Sequence, residues 1–320
     1  MLQTPIADLY RIVKSGARRS DAQTCAGSAK LLLVSSFLPL VLLIPWALVS
    51  VGQNASDAST APTPAQAQAL VEQSLAAELR AAQDQTHPMR YRLRKTSTRL
   101  TSTKEILETR DGAVARLLLI NDKTLSPEDE QKEEARLDAL LSDPARQRHR
   151  KQNEDDDTRR ALKVLRALPK AFVYQFAGTV PGPAGIVDKF TFRPNPSFNP
   201  PDLETQALTA MTGELWIDLA HQRVTRLEGH LQQDVDFGWG VLGQLNKGGW
   251  IVIEQALVAG DQWRIVRFSM SMSGRVLFKA KSFDTTEEET EFVPVRYGMR
   301  YPEAIKLSRS DAIGAGTAVR

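Results

Sequence analysis

Val266, Phe268, Met270 and Met272 stand on one side of a two-residue alternation, with Arg267, Ser269 and Ser271 on the other. A strand with this pattern turns an aromatic ring and two thioethers to one face. Such side chains adapt to apolar ligands of varied shape and also fill an ordinary core, so both readings stay open. Tyr91 and Leu93 alternate in the same manner with Arg90, Arg92 and Arg94. With Trp216 they are expected to line the same apolar hollow, while the arginines meet water or acidic lipid headgroups. A second apolar group, Phe237, Trp239, Val241, Leu242 and Trp250, falls in a stretch with five glycines. It reads as a mobile loop that covers a cavity or touches a membrane surface, the plain alternative being a hairpin loop packed on the core.

Reactive chemistry finds less support. Gly238, Gly240 and Gly243 fit the G-x-G-x-x-G spacing, but a dinucleotide fingerprint needs a strand before it, a helix after it and a parallel βαβ unit. Here Asn246, Lys247, Gly248 and Gly249 interrupt any helix, and the neighbouring runs read as antiparallel strands. His221 and His230 could face each other across a short hairpin, yet two histidines without a third ligand make a poor metal site, and they read as surface residues. Glu287, Glu288, Glu289 and Glu291 read as a solvated turn between strands, because paired catalytic carboxylates need a pocket that separates their pKa values. No G-x-S-x-G elbow, P-loop or H-E-x-x-H motif occurs. No catalytic residue, metal ligand or cofactor is assigned, and the chain reads as a non-enzymatic protein.

Composition narrows the class. The 320 residues carry 41 Lys and Arg against 38 Asp and Glu, a net charge of +3, without the one-sided field of a nucleic-acid binder. Nucleic acid is therefore not expected as a partner. The single cysteine, Cys25, precedes an apolar stretch that opens at Leu31 and closes at Val51. Nothing after it can form a disulfide or a thiolate metal site, and the cysteine is misplaced for self-lipidation. The stretch has no charge in 21 positions, enough to cross a bilayer as a helix. Lys14, Arg18, Arg19 and Lys30 in front of it would hold residues 1–30 in the cytoplasm and send the remainder across, so a periplasmic location is expected. A cleaved signal peptide, with small residues near Ser50 or Ala58, and a retained inner-membrane anchor both fit.

The exported part must position the candidate residues. Residues 52–65, rich in Ala, Ser, Thr and Pro, read as a flexible linker. Leu70, Val71, Leu75 and Leu79 predict a helix over 66–83. From Met89 the period falls to two, and three strands follow, with a hairpin signal at Asp111 and Gly112. Residues 126–168 read as a charged helical insertion. One helix is capped by Ser126, Asp143 and Pro144 break it, and a second helix from about Asp157 docks Leu162, Leu165 and Leu168 on the sheet. The mixed-sign run between them, residues 146–157, reads as a solvated loop and a candidate contact for a protein partner. Further runs of strand type bring the total to about eleven. The expected fold class is α+β: a large, antiparallel, strongly curved sheet, an incomplete β-barrel, with helices covering one side and an apolar helix at the N-terminus. This domain occupies residues 66–296, and residues 297–320 read as a loose tail.

The order of these elements, together with the hairpin in which Gly213, Glu214, Leu215, Trp216, Ile217 and Asp218 precede Arg223, Val224, Thr225 and Arg226, resembles the periplasmic carriers of the lipoprotein-localisation (Lol) system and the sigma-factor-regulating sensors that share their fold. The resemblance covers about residues 66–295. It implies an incomplete barrel whose apolar hollow takes up acyl chains, and hence an envelope protein that binds a lipid, an acyl chain or a lipidated protein by burying apolar surface. The long charged insertion and the option of a retained anchor depart from a freely diffusing shuttle. They support a second reading, a membrane-anchored interaction or sensor domain with no lipid ligand. No ligand position is carried over from the family.

Overall fold

The alternating runs pair into one antiparallel sheet in the computed structural model, which describes residues 61–237, 243–276 and 279–315. Across the sheet stand, in order, β4 (Lys123–Thr124), β3 (Val114–Ile120), β2 (Thr101–Leu107), β1 (Met89–Ser97), β13 (Lys279–Pro294), β12 (Trp263–Val276), β11 (Trp250–Leu257), β8 (Arg223–Leu231), β7 (Met211–Asp218), β6 (Gly185–Pro194) and β5 (Phe172–Gly182). Two short strands, β9 (Val235–Phe237) and β10 (Gly243–Leu245), pair with each other, and β10 also pairs with β12. The end strands β4 and β5 do not pair with one another, so the sheet is open. Among the described residues five α-helices accompany it: α1 (Pro64–Ala81), α2 (Pro127–Ser142), α3 (Pro144–Ala171), the short α4 (Leu203–Gln206) and α5 (Tyr301–Ala315). The apolar stretch from residue 31 to 51 lies outside the described residues, and no described helix is long and apolar enough to cross a membrane.

Cross-strand partners share a face, so one row of pairs shows how that face is built. Phe176 pairs with Phe190, Phe190 with Leu215, Leu215 with Leu227, Leu227 with Ile253 and Ile253 with Phe268. The same row then continues through Glu287 and Lys95 to Ser102. This inner face is therefore apolar from β5 to β12 and ionic from β13 to β2.

The apolar part must be covered, and α1 and α3 cover it. Ala67, Val71 and Leu75 of α1 and Leu168 and Ala171 of α3 join Phe172, Phe190, Leu215, Phe268, Met270 and Met272 in the main core. The helix starts are local: Thr63 and Gln66 form a capping box before α1, with Pro64 in its first turn. Glu78 lies on the same helical stripe as Val71, Ser74 and Leu75. Its carboxylate accepts Arg223 Nε at 2.8 Å, Arg223 Nη2 at 3.0 Å, the Val224 amide at 2.8 Å and Gln255 Nε2 at 3.1 Å. Four donors meet the carboxylate's hydrogen-bonding needs and clamp α1 to β8 and β11.

Three expectations change. The run at residues 146–157 is not a loop. Pro144 takes the first helical position and the Asp143 carboxylate accepts the amides of Ala145 and Arg146, so the pair that stops α2 starts α3. Charge pairs such as Lys151 with Asp155 at 2.8 Å and Arg160 with Asp157 at 2.8 Å then run along the helix. The acidic run from Glu287 to Glu291 is not a turn but lies within β13. Glu291 alone takes a left-handed φ of 57°, at the irregularity where the pairing of β1 with β13 shifts register. The expected loose tail instead contains α5. Tyr301, Ala304 and Ile305 pack with Leu107 and Val114 of the sheet and Leu137 and Leu140 of α2, because those apolar groups need a cover on the outer face.

The charged insertion also closes an edge. The Ala113 amide donates to Glu154 and the Leu117 amide to Glu133, while Arg136 and Arg150 donate to the carbonyls of Ala115 and Ala113. Side chains of α2 and α3 thus stand where another strand would pair with β3.

The Glu78 clamp gives a first prediction. Glu78→Ala leaves Arg223 and the Val224 amide without their acceptor, and chemical denaturation is expected to show a loss of about 3–5 kcal/mol; a loss under 1 kcal/mol contradicts the clamp.

Candidate functional site on the inner face

The residues expected to line one hollow are dispersed. Phe268, Met270 and Met272 belong to the main core at 0, 1 and 2 % exposure, so they contact protein and face no solvent-sized space. Tyr91 and Leu93 belong to a separate cluster with Met89, Ile106, Ala113 and Ala115, in which Tyr91 stacks on Phe292 at 5.3 Å. Val266 is half-buried where the pairing of β11 with β12 slips. Trp216 lies on the outer face, between the buried Leu215 and Ile217, with Lys189 and Arg226 over its ring. Strand alternation puts it there: its partners are Lys189 and Arg226, not the apolar row.

Among the residues expected to form a lid, Phe237 is a core residue at 2 % exposure and Trp250 is a half-buried member of β11. Trp239, Val241 and Leu242 lie outside the described residues, as do Gly238 and Gly240. Gly243 starts β10, whose partners are antiparallel. The two histidines do not meet. His221 pairs with Asp218 at 3.0 Å and rests on Trp263, whereas His230 contacts Glu228 at 2.9 Å at the far end of β8. Among the described residues no cluster has the makings of a metal site.

The chemistry gathers instead on the ionic half of the inner face. Glu289, Leu93 and Lys104 occupy neighbouring positions on β13, β1 and β2, one row along from the Glu287–Lys95 pair, which closes to 2.6 Å. Glu108 accepts the Met89 amide at 2.8 Å and approaches Arg264 at 3.5 Å. Glu154 and Arg150 reach in from α3. Gly112 permits that approach: its φ is +93°, and an added Cβ would stand 3.1 Å from the Glu154 carboxylate.

Acidic and basic groups lie side by side here, Glu154 and Arg150 both bonding Ala113. On the acidic side, burial and the carboxylates of Glu287 and Glu108 push Glu289 up to about 8. Glu289 as a residue is half-buried, but loss of hydration dominates at its carboxyl, and it has no hydrogen bond or ion pair among the described residues. Burial likewise raises Glu108 and Glu154, and burial first, then the carboxylates of Glu289, Glu108 and Glu154, hold the Tyr91 hydroxyl well above its ordinary value. On the basic side, burial first and then the charges of Arg136 and Lys95 lower Lys104, and burial and Arg136 lower Arg150. The sequence singles out Glu287 and Glu289 only as part of a turn, and Lys104 not at all. Alternation could have found them, since Lys104 keeps step with Ile106, and Glu287 and Glu289 keep step with Phe283.

The opposite face of β5 to β8 carries an open groove of about 610 Å³, lined by Val173, Thr191, Thr212, Glu228 and His230 and by Pro64. Its Glu228 is already paired with Arg226 and His230, which holds its carboxyl below the usual range.

No protein-family model and no curated protein matches the chain. Among solved structures, an outer membrane lipoprotein-sorting protein domain from Vibrio parahaemolyticus is similar at 11% identity and a TM-score of 0.28, over 74% of this chain and 97% of that one. MucB in complex with MucA(peri) is similar at 11% identity and a TM-score of 0.19, over 69% of this chain and 98% of that one. Neither likeness is close enough to place the chain in a family.

Glu289 makes stability depend on pH. The folded carboxyl titrates near 8 against an ordinary 4.5, so between these values the folded chain holds a proton that the unfolded chain has lost. Stability from this group falls as pH rises through that window and levels off above it. Urea midpoints measured from pH 5 to 9 are expected to show a decline that Glu289→Gln flattens; equal slopes in both proteins contradict the assignment.

Proposed function

We propose that the chain is a non-enzymatic binding module of the bacterial envelope that works through the ionic half of its inner face, not by storing an acyl chain in an apolar hollow. The observation that carries this reading is the burial of Phe268, Met270 and Met272 at 0–2 % exposure beneath α1 and α3. An acyl chain gains about 0.8 kcal/mol per methylene only if space exists to take it out of water. Here Val71 and Leu75 of α1 and Leu168 of α3 occupy the place a guest would need. Entry of a lipid would require α1 to lift off the sheet against the Glu78 clamp. The ionic half is different: Lys104, Glu108, Glu154 and Glu289 belong to residues that are only half-buried, so this half keeps part of its surface in contact with solvent.

In this reading the apolar stretch from residue 31 to 51 sends the domain across the inner membrane and residues 52–65 tether or release it. Its uncharged length and basic N-terminal flank support that role. The partner contact assigned to the charged insertion is reduced, because Glu133, Arg136, Arg150 and Glu154 already serve the β3 edge.

Equilibrium titration with a fluorescent fatty-acid analogue tests the reading. The wild-type chain is expected to show no saturable site that responds to changes at Phe268, while Phe268→Ala costs about 3–5 kcal/mol of stability by opening a cavity. Saturable binding by the wild type that Met270→Lys abolishes, with the fold retained, contradicts it.

A further inference from the structure

One end of the sheet is apolar where it meets water. The turns β5–β6, β7–β8 and β11–β12 and the close of β13 all stand at this end, because Asp188 pairs with Ile217, Arg226 with Glu254 and Arg267 with Glu288. Ile186, Leu219, Leu257 and Val293, one at each, are exposed, as is Tyr297 just beyond. Ile186 stands furthest out of the described large apolar side chains, at 76 % exposure. It belongs to residues 171–187, a run without one charge in a chain of which 25% is charged. β7 pairs with β6 no further than Asp188. The tip therefore projects past its neighbour by three residues, about 10 Å at about 3.3 Å each. Pro181, Pro183, Ala184 and Ile186 are exposed there, and a Cβ added at Gly185 would meet nothing within 4 Å.

We propose that the β5–β6 tip, from Val180 to Ile186, docks on the surface of a lipid bilayer, with Leu219 and Leu257 resting beside it. The tip brings few thirsty backbone donors: Val180 pairs with Val187, Pro181 with Ile186 and Gly182 with Gly185, and two prolines lack the amide N–H. Its open edge confines it to the boundary of headgroups and acyl chains, about 5–10 Å deep, and charge returns just behind, at Asp188 and Lys189. The apolar side chains are separate points on successive turns, unlike the packed central cluster that anchors a protein interface. The charges nearby are matched: Lys189 pairs with Glu214, Asp218 with His221 and Arg223 with Glu78. Asp188 and Asp261 have no ion pair among the described residues, so anionic lipid gains nothing here. The inference rests on the reading of residues 31–51 as a membrane segment. The chain between Val51 and Pro64 can span about 40 Å at most. α1, with 18 residues, covers only about 27 Å from Pro64, beside Val173 and Thr212, to Glu78 at the tip end. The tether is thus long enough for the tip to reach the bilayer that holds the segment.

The test uses the full chain reconstituted in phosphatidylcholine vesicles, with Cys25→Ser and Ala184→Cys and an environment-sensitive dye on the introduced thiol. Phospholipids spin-labelled near the headgroup are expected to quench this dye, and not one attached through Leu100→Cys in the β1–β2 turn at the opposite end. Ile186→Ser is expected to weaken docking about tenfold, the loss of one apolar side chain from a buried position, with the melting temperature unchanged because the residue is exposed. High salt and added phosphatidylglycerol are expected to leave quenching as it was. The proposal is overturned by no quenching at position 184, by equal quenching at positions 184 and 100, or by quenching that needs phosphatidylglycerol and fails in high salt. Emission that shifts with protein concentration and not with lipid assigns the tip to a second copy of the chain and also overturns it. A chain that does not float with the vesicles contradicts the membrane reading of residues 31–51 and this inference together, whereas floating without quenching contradicts this inference alone.

Discussion

Lys95 and Glu287 meet at 2.6 Å beside Phe268, where the inner face changes from hydrocarbon to charge. This junction governs the rest of the structure. On one side of it six apolar side chains stand in line from Phe176 to Phe268, and exposing such a surface to water is costly, so helices must lie over it. On the other side Glu287 and Lys95 neutralise each other within the sheet, and neighbouring ionic groups keep access to water. A buried pair of this kind adds little net stability, but breaking it would leave one charge stranded. Its consequence is a division of a single face: one half is core and the other half is ionic and only partly buried.

The open sheet has two ends, and they are handled differently. At the β3 end, Glu133, Arg136, Arg150 and Glu154 replace a missing strand by bonding alternate residues of the edge, Ala113, Ala115 and Leu117. Much of the insertion's charge is therefore a folding device that holds α2 and α3 in place and blocks strand addition. Arg150 and Glu154 both bond Ala113, at its carbonyl and its amide, and so fix α3 near the edge. At the other end β5 carries a register shift between Phe176 and Thr179, with Gly178 at a φ of +108°, and Pro181 further along; these interrupt regular pairing along that strand.

Much of the architecture was legible because it follows from local alternation. The antiparallel pairing, about eleven strands and a helix ahead of β1 all follow from periods and turn residues within a few positions of each other, whereas the capping box at Thr63 starts that helix inside the stretch that reads as linker. What failed was judged by composition instead of by phase. Glu287, Glu288, Glu289 and Glu291 looked like a turn because four carboxylates rarely share a strand, yet Lys95, Arg94 and Arg92 on β1 stand opposite to receive three of them. Residues 146–157 looked like a loop because their charges mix, although the signs are spaced to pair along a helix. Trp216 belongs with the apolar residues by type, but it stands next to Leu215 on β7 and so turns to the other face. The ionic site was illegible for a further reason: Lys104, Glu289 and Arg150 come together only after β13 inserts beside β1 and α3 folds back on the β3 edge, contacts between distant segments that no local pattern encodes.

On the proposed reading, ligands meet the ionic half of the inner face and leave the apolar half untouched. The most direct measurement is a methyl-labelled NMR titration of the chain with a short-chain phosphatidic acid below its micelle concentration, a molecule that offers a phosphate and acyl chains together. The account predicts that the methyl resonances of Leu93 and Leu117, beside Lys104, shift with added ligand while those of Met270 and Met272 stay in place. Shifts at Met270 and Met272 with Leu93 and Leu117 unmoved would contradict it.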